Sequence, residues 1–100
     1  KYINESLSHY YMKDKKIINT LFREKPFMMI VSLYEKDSIY ASSLAKLVDC
    51  TYSHVVKVLK EFSKHGLVEF KKQGRIKKVI LTKKGKELEL KLVQLREKLL

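Results

Sequence analysis

The sequence predicts a mainly α-helical domain with one small β-hairpin, an α+β fold in which helices flank the hairpin at both ends. Apolar residues recur at helical spacing in several segments before the hairpin and in one long segment after it. Two short strand-like segments surround Gln73-Gly74-Arg75, which is a hairpin signal. The single Pro and the three Gly fall at predicted element boundaries, as a consistently encoded fold requires.

The length of 100 residues predicts a single domain, residues 1–100, with a modest hydrophobic core. An N-terminal helix is expected over residues 14–25, where Ile17, Ile18, Leu21 and Phe22 form one apolar stripe. Pro26 would end that helix and suits the first turn of the next. The following segment, 27–34, is apolar almost all round and predicts a buried helix.

The central segment, 39–82, contains two short helices and the hairpin. Ser42 or Ser43 is the expected N-cap of a helix that reaches about Val48, with its apolar residues facing inward. Asp49 suits a left-handed turn residue, and Thr51 is the expected N-cap of a second helix over 52–65. Gly66 would end that helix in the left-handed conformation. The residues expected to face the core are Leu44, Ala45, Leu47, Val48, Cys50, Val55, either Val56 or Val58, Leu59 and Phe62.

The hairpin strands are expected over 67–72 and 76–82, with Leu67, Val79 and Leu81 turned to the core. Thr82 is the expected N-cap of a last helix over 83–100. In that helix four leucines fall at spacings of four, three and four residues, the pattern of a coiled-coil seam. They are Leu88, Leu92, Leu95 and Leu99.

The charge balance points to a polyanionic partner. Twenty-two Lys and Arg oppose eleven Asp and Glu, a net charge of +11. Residues 51–78 alone hold seven Lys and one Arg against two Glu, a local charge of +6. No apolar run approaches the roughly 18 residues of a membrane span, and no signal-peptide pattern opens the chain. One cysteine cannot form an internal disulfide, which fits a reducing interior. A cytoplasmic, nucleoid-associated protein is therefore expected.

The segment LAKLVDCTYSHVVKVLKEFSKHGLVEF resembles the winged helix–turn–helix of small transcription regulators, most closely the MarR type. The family pattern L-A-x-L-x-x-x-S is matched with Thr51 in the Ser position, and His65-Gly66-Leu67-Val68 matches its G-L-V ending. Leu81-Thr82-Lys83-Lys84-Gly85 matches the family's L-T-x-x-G. The wing lacks the Asp-x-Arg of many MarR-type wings, and the length fits the broader group of small archaeal and archaeal-virus winged-helix dimers better.

This resemblance implies a sequence-specific regulator that binds double-stranded DNA as a homodimer. The second helix, 52–65, would enter the major groove, and the wing, 71–78, would contact the backbone or minor groove. The DNA-binding residues it implies are Ser42, Ser43, Thr51, Tyr52, Ser53, His54, Lys57, Lys71, Lys72, Arg75, Lys77 and Lys78. The two apolar stripes predict a dimer interface of Ile17, Leu21, Phe22, Leu88, Leu92, Leu95 and Leu99.

Several alternatives remain open at the level of sequence. The polar face of the helix over 52–65 could simply be exposed to solvent. The hairpin lysines could serve to prevent association at an exposed edge strand. A winged-helix module that docks protein within a transcription or replication assembly is the second function, and a membrane-surface role is a distant third. Oxidation of Cys50 and a small-molecule effector are also left open. No nucleophile–base pair, glycine-rich phosphate loop or metal-ligand spacing is present, so no enzyme, cofactor or metal site is predicted.

Overall fold

The computed structural model describes residues 16–73 and 76–100. Residues 16–21 are helical and are labelled α1. The elements that follow are α2 (Glu24–Lys36), β1 (Ile39–Tyr40), α3 (Ala41–Val48), α4 (Tyr52–Lys64), β2 (Val68–Gln73), β3 (Ile76–Leu81) and α5 (Lys83–Leu99). The predicted mainly α-helical class with a small β-hairpin is confirmed.

The turn between α3 and α4 is built by local hydrogen bonds. Asp49 adopts the left-handed conformation (φ 58°, ψ 56°), as its short polar side chain predicts. The Cys50 N–H donates to the carbonyl oxygen of Ala45 at 3.0 Å, which closes the end of α3. Thr51 then caps α4, because its hydroxyl oxygen accepts a hydrogen bond from the His54 N–H at 3.2 Å. These contacts fix the angle at which α4 leaves α3.

The hairpin is part of a three-stranded antiparallel sheet in the order β1-β3-β2. Strand β1 pairs with β3 through Ile39 opposite Val79 and Tyr40 opposite Lys78. This two-residue strand before α3 therefore covers one edge of the hairpin. This pairing was not predicted, since two residues carry no periodic signal of their own. It ties the wing to the start of α3.

The core lies between α2, α3, α4 and the inner face of the sheet. Along α4 the apolar side chains recur every three or four residues and are buried, which explains why this segment forms an amphipathic helix. Val79 and Leu81 are buried and alternate with the half-buried Lys78 and Ile80 along β3, as the period of two requires. The largest fully buried side chains are Phe62, Met29, Ile30, Leu33, Leu44, Leu59, Val48, Val55, Val68 and Val79.

The start of α5 is locked against the end of α4. Gly66 takes a positive φ of 73°, as predicted for the residue that ends the helix. The Thr82 hydroxyl donates to the Gly66 carbonyl and accepts from the Gly85 N–H, so Thr82 caps α5 while it holds the preceding loop. A Cβ on Gly85 would collide with the carbonyl oxygen of Leu67. The glycine of the L-T-x-x-G motif therefore allows the backbone of α5 to lie directly against the backbone at Leu67.

Several element boundaries differ from those expected. The helix expected over 14–25 ends at residue 21, and α2 begins at Glu24, before Pro26, because proline is tolerated in a first turn. Residues 14 and 15 lie outside the described part of the chain. Helix α4 ends at Lys64 rather than at 65, and α5 ends at Leu99 rather than at 100.

The expected cap of α3 and one of its core assignments are wrong. Helix α3 begins at Ala41 with Tyr40 as N-cap, so Ser42 and Ser43 lie in the first turn and do not cap it. Leu47 is 50% exposed because the buried stripe of this short helix consists of Ala41, Leu44, Ala45 and Val48. Cys50 is only half-buried and packs at the margin of the core.

Candidate nucleic-acid interface

The outward face of α4 is polar and basic. Ser53, His54 and Lys57 are exposed, and Tyr52 at the first turn is 53% exposed. Thr51 is exposed as well, although its hydroxyl is occupied in the cap. The apolar residues of α4 face the core, so these groups are free to contact a ligand surface. Their hydroxyl, imidazole and ammonium groups suit both base edges and phosphates.

The same face of α4 carries two lysines that were not predicted as site residues. Ser53, Lys57, Lys60 and Lys64 follow each other at spacings of four, three and four, and all four are exposed. We call this row the α4 ridge. The spacing of Lys60 and Lys64 from Lys57 is visible in the sequence, but only the first turns of α4 were predicted to form the binding face.

Two residues of α3, Ser42 and Ser43, were also expected at the site. Ser42 is exposed and Ser43 is half-buried in the first turn of α3.

Lys25, from the first turn of α2, donates to the carbonyl oxygen of Val48 at 2.7 Å. A cation at the last carbonyls of a helix is favoured by the helix dipole. Lys25 therefore anchors α2 to the helix–turn–helix rather than facing solvent.

The wing presents lysines on both of its faces. Lys71 pairs with Lys78 and Lys72 pairs with Lys77 across the β2–β3 ladder, and successive pairs point to opposite faces. Lys77 Nζ lies 5.8 Å from the centre of the Phe70 ring, and Lys78 Nζ lies 5.3 Å from that of Tyr40. Arg75, expected at the wing tip, lies outside the described residues.

A buried carboxylate joins α4 to the N-terminal part of the chain. Glu61 is 7% exposed, and its Oε1 lies 3.4 Å from Lys16 Nζ. Its Oε2 lies 3.6 Å from His65 Nδ1, which also lies 3.1 Å from the Glu61 carbonyl oxygen. His65 thus lies at the C-terminal end of α4, where a positive charge is favoured. Lys16 is exposed, so its ion pair adds little stability.

The residues expected at a dimer interface divide into two groups. Leu21 and Leu92 are buried in the core of the chain itself, and Ile17 and Leu88 pack against that core. Phe22, Leu95 and Leu99 are 65%, 48% and 78% exposed. The leucine seam of α5 is therefore covered by its own chain near the start of the helix and open near its end.

Two other kinds of site are absent from the part of the chain that the structure describes. No group of three or more His, Cys, Asp or Glu side chains there could hold a metal ion. None of its helices is long and apolar enough to cross a membrane.

The arrangement of α3, turn, α4 and a lysine-bearing hairpin defines a winged helix–turn–helix protein, the fold class of the MarR-type regulators that the sequence resembles. The chain belongs to the HVO_A0114 family, which matches residues 21–85. An uncharacterized protein of Archaeoglobus fulgidus is 30% identical over 81 residues, covering 77% of this chain and 84% of that protein.

Solved structures with the same fold include regulators of the MarR family. AF1382 from Archaeoglobus fulgidus has a TM-score of 0.73 at 26% identity, covering 82% of this chain and 94% of its own. The MarR family transcriptional regulator SPO1453 from Silicibacter pomeroyi has a TM-score of 0.69 at 22% identity, covering 96% and 71%. MepR of Staphylococcus aureus, in a complex with DNA, has a TM-score of 0.71 at 19% identity, covering 99% and 86%. The resemblance to MarR-type winged helices is confirmed at the level of the fold.

Proposed function

We propose that this protein is a transcriptional regulator that binds double-stranded DNA sequence-specifically as a homodimer. The observation that carries the proposal is the juxtaposition of the polar α4 ridge with a wing whose lysines oppose each other in pairs. A reading helix and a cationic strand pair side by side match the major groove and the adjacent phosphate backbone of a duplex. MepR, which has the same fold, is known in a complex with DNA.

Base reading is assigned to the first turns of α4. In a helix–turn–helix the N-terminal residues of the second helix contact base edges. Here those residues are Tyr52, Ser53, His54 and Lys57, all with exposed side chains. Lysine can bind the acceptor edge of guanine, and hydroxyl and imidazole groups can donate or accept at several bases. Ser42 and Ser43, at the start of α3, are assigned to the phosphate backbone.

The wing is assigned to the backbone or the minor groove. Lys71, Lys72, Lys77 and Lys78 neutralise phosphates there, a contact that carries no sequence information by itself. Arg75, which the sequence predicts at the wing tip, is assigned to the minor groove, since narrow grooves attract arginine.

The homodimer is assigned to the exposed end of α5 together with Phe22. Leu95 and Leu99 continue the seam begun by the buried Leu92, and both remain in contact with water in a single chain. Pairing of two such helices buries this surface in the manner of a coiled coil. It would also place two α4 helices about 34–36 Å apart, which is one turn of DNA.

Selection of bound sequences from a pool of random duplexes tests this function directly. A palindromic consensus with half-sites one helical turn apart is the expected result, because a two-fold dimer presents two equivalent reading helices. A pool that shows no enrichment would contradict the proposal and favour a winged-helix module that docks protein.

A further inference from the structure

A second concave surface lies on the other flank of α4. It is a groove of about 750 Å³ between α4, the end of α1 and the first turn of α2. Its cationic lining residues come from three segments of the chain: Lys16 of α1, Arg23 and Lys25 at the start of α2, and Lys57, Lys60 and Lys64 of α4. None of the groove-lining residues that precede α4 in the sequence was predicted to belong to a binding site.

The groove is strongly cationic. Six Lys or Arg line it, together with one His and two Glu. One of the two carboxylates, Glu61, is buried between Lys16 and His65 and is therefore already compensated. Lys25 is held by the Val48 carbonyl. The exposed cations Arg23, Lys57, Lys60 and Lys64 remain to face a ligand. Glu24 is the one exposed opposing charge among the described residues that line the groove.

The groove and the wing lie on opposite flanks of the α4 ridge. Ser63 lines a shallow hollow with Val68 and Phe70 of β2, so this flank of α4 faces the wing. Glu61 lines the groove. At about 100° per residue these two positions are about 200° apart around the helix. The ridge therefore runs between the wing on one side and the groove on the other.

We propose that this groove binds the sugar-phosphate backbone of duplex DNA on the flank away from the wing. This inference rests on the proposed DNA-binding function and adds a third contact surface to it. Lys57, Lys60 and Lys64 belong both to the ridge and to the groove lining. A duplex seated on the ridge consequently covers the mouth of the groove, where Arg23 and Lys64 each reach a phosphate.

The first turn of α2 strengthens this assignment. The N-terminus of α2 lies at the groove, which is lined by the N-cap residue Arg23 and by Glu24 and Lys25 of the first turn. The N-cap residue makes no side-chain hydrogen bond to this N-terminus. The positive end of a helix dipole favours an anion, and it adds to the charge of Arg23. Contacts of this kind position the duplex and do not read its sequence.

The test is a salt titration of DNA binding with the double variant Arg23→Ala, Lys64→Ala. In a dimer this variant removes four phosphate contacts, so the slope of log K against log salt should become shallower by about 3–4. Affinity should fall for all sequences while the selected consensus stays the same. The matched control is Lys36→Ala with Lys86→Ala, because both lysines are exposed and neither lies on the ridge, wing or groove. The control should change the slope by less than about 1.

Three outcomes separate the explanations. If the double variant and the control have the same slope and affinity while the unmodified protein binds its consensus, the groove assignment is wrong and the proposed function stands. If the unmodified protein binds no duplex, the proposed function itself fails. If the double variant loses affinity only for the consensus and not for other duplexes, the groove takes part in base reading rather than in backbone binding, which also overturns the inference.

A conservative variant guards against loss of folding. Arg23→Lys keeps the positive charge and should leave the slope of log K against log salt unchanged. Arg23→Gln removes the charge and should make that slope shallower by about 2 in a dimer. Arg23 makes no side-chain cap to α2, so neither change should shift the thermal unfolding midpoint. Equal slopes for the two single variants would also contradict the assignment.

Discussion

Lys72 lies directly opposite Lys77 in the β2–β3 ladder. Like charges in this position repel each other, and the neighbouring pair Lys71 and Lys78 repeats the arrangement on the other face of the wing. The rings of Phe70 and Tyr40 lie within 6 Å of Lys77 Nζ and Lys78 Nζ respectively, and offset part of this cost. A bound anion, such as the phosphate backbone of the proposed DNA ligand, would relieve the repulsion that remains.

The first prediction concerns these paired lysines. Lys72→Ala with Lys77→Ala should weaken binding to all DNA sequences alike, because the proposed function places both side chains on phosphates. The salt slope should become shallower by about 1 for each lost contact. The thermal midpoint of the free protein should stay the same or rise, since a repulsion is removed. Binding assays on the consensus and on scrambled duplexes check this. A loss confined to the consensus would show that the wing reads bases.

The second prediction concerns the reading helix. Ser53→Ala, His54→Ala and Lys57→Ala should each change which sequences are preferred, by roughly 1–3 kcal/mol where a base-edge contact is lost. His54 contributes only its backbone N–H to the Thr51 cap, so His54→Ala leaves α4 intact. Repeated sequence selection with each variant measures the preference. An unchanged consensus with uniformly lower affinity would show that α4 grips DNA without reading it.

The third prediction concerns the dimer. Leu95→Glu with Leu99→Glu should give a folded monomer that binds a palindromic site far more weakly, since a charged seam cannot pair. Leu92 is unsuitable for this test because it is buried in its own chain. Leu90→Glu is the matched control, since Leu90 is 53% exposed and lies across the helix from the seam. Sedimentation at tens of micromolar gives the oligomeric state. An unmodified protein that is already monomeric would rule out the dimer.

The fourth prediction concerns pH. Glu89 is 4% exposed, and burial, together with the nearby Glu35, raises the pKa of this carboxyl above its ordinary value, while Arg96 opposes the shift. Between its ordinary pKa and the raised one, the folded protein binds more protons than the unfolded chain. The stability contributed by Glu89 therefore falls as pH rises through that interval.

Replacing Glu89 by Gln removes this penalty. Glu89→Gln should unfold at a higher temperature than the unmodified protein at pH 7, and the difference should shrink towards pH 4. The control is Glu87→Gln, because Glu87 is exposed two residues away. Thermal unfolding across this pH range measures the effect. A difference that does not depend on pH would mean that Glu89 acts through packing alone.

Much of the fold was predictable because its signals are local. Thr51 and Thr82 cap their helices as expected, and Asp49 and Gly66 take the left-handed conformations that their residue types favour. The pairing of β1 with β3 could not be predicted, since it depends on how the chain returns in space. Leu47 was misassigned because an apolar residue on a short helix is inward or outward according to the neighbouring elements.

The candidate site was predictable only where it is continuous in sequence. The α4 and wing residues lie within one segment, and the described ones have exposed or half-buried side chains. Arg23 and Lys16 reach the same surface from the other end of the chain, so only the three-dimensional packing of α1 and α2 against α4 brings them there. The buried position of Glu61 has the same origin, since its partner Lys16 is distant in sequence.

The salt dependence of binding to the selected duplex tests the central claim most directly. If two α4 helices and two wings neutralise about eight phosphates, log K should fall against log salt with a slope of about −7, and more steeply if the groove contributes. Fluorescence anisotropy of a labelled duplex, titrated from low to moderate salt, measures this slope. A slope of about −7 or steeper is the predicted result, whereas a slope near zero would contradict the account.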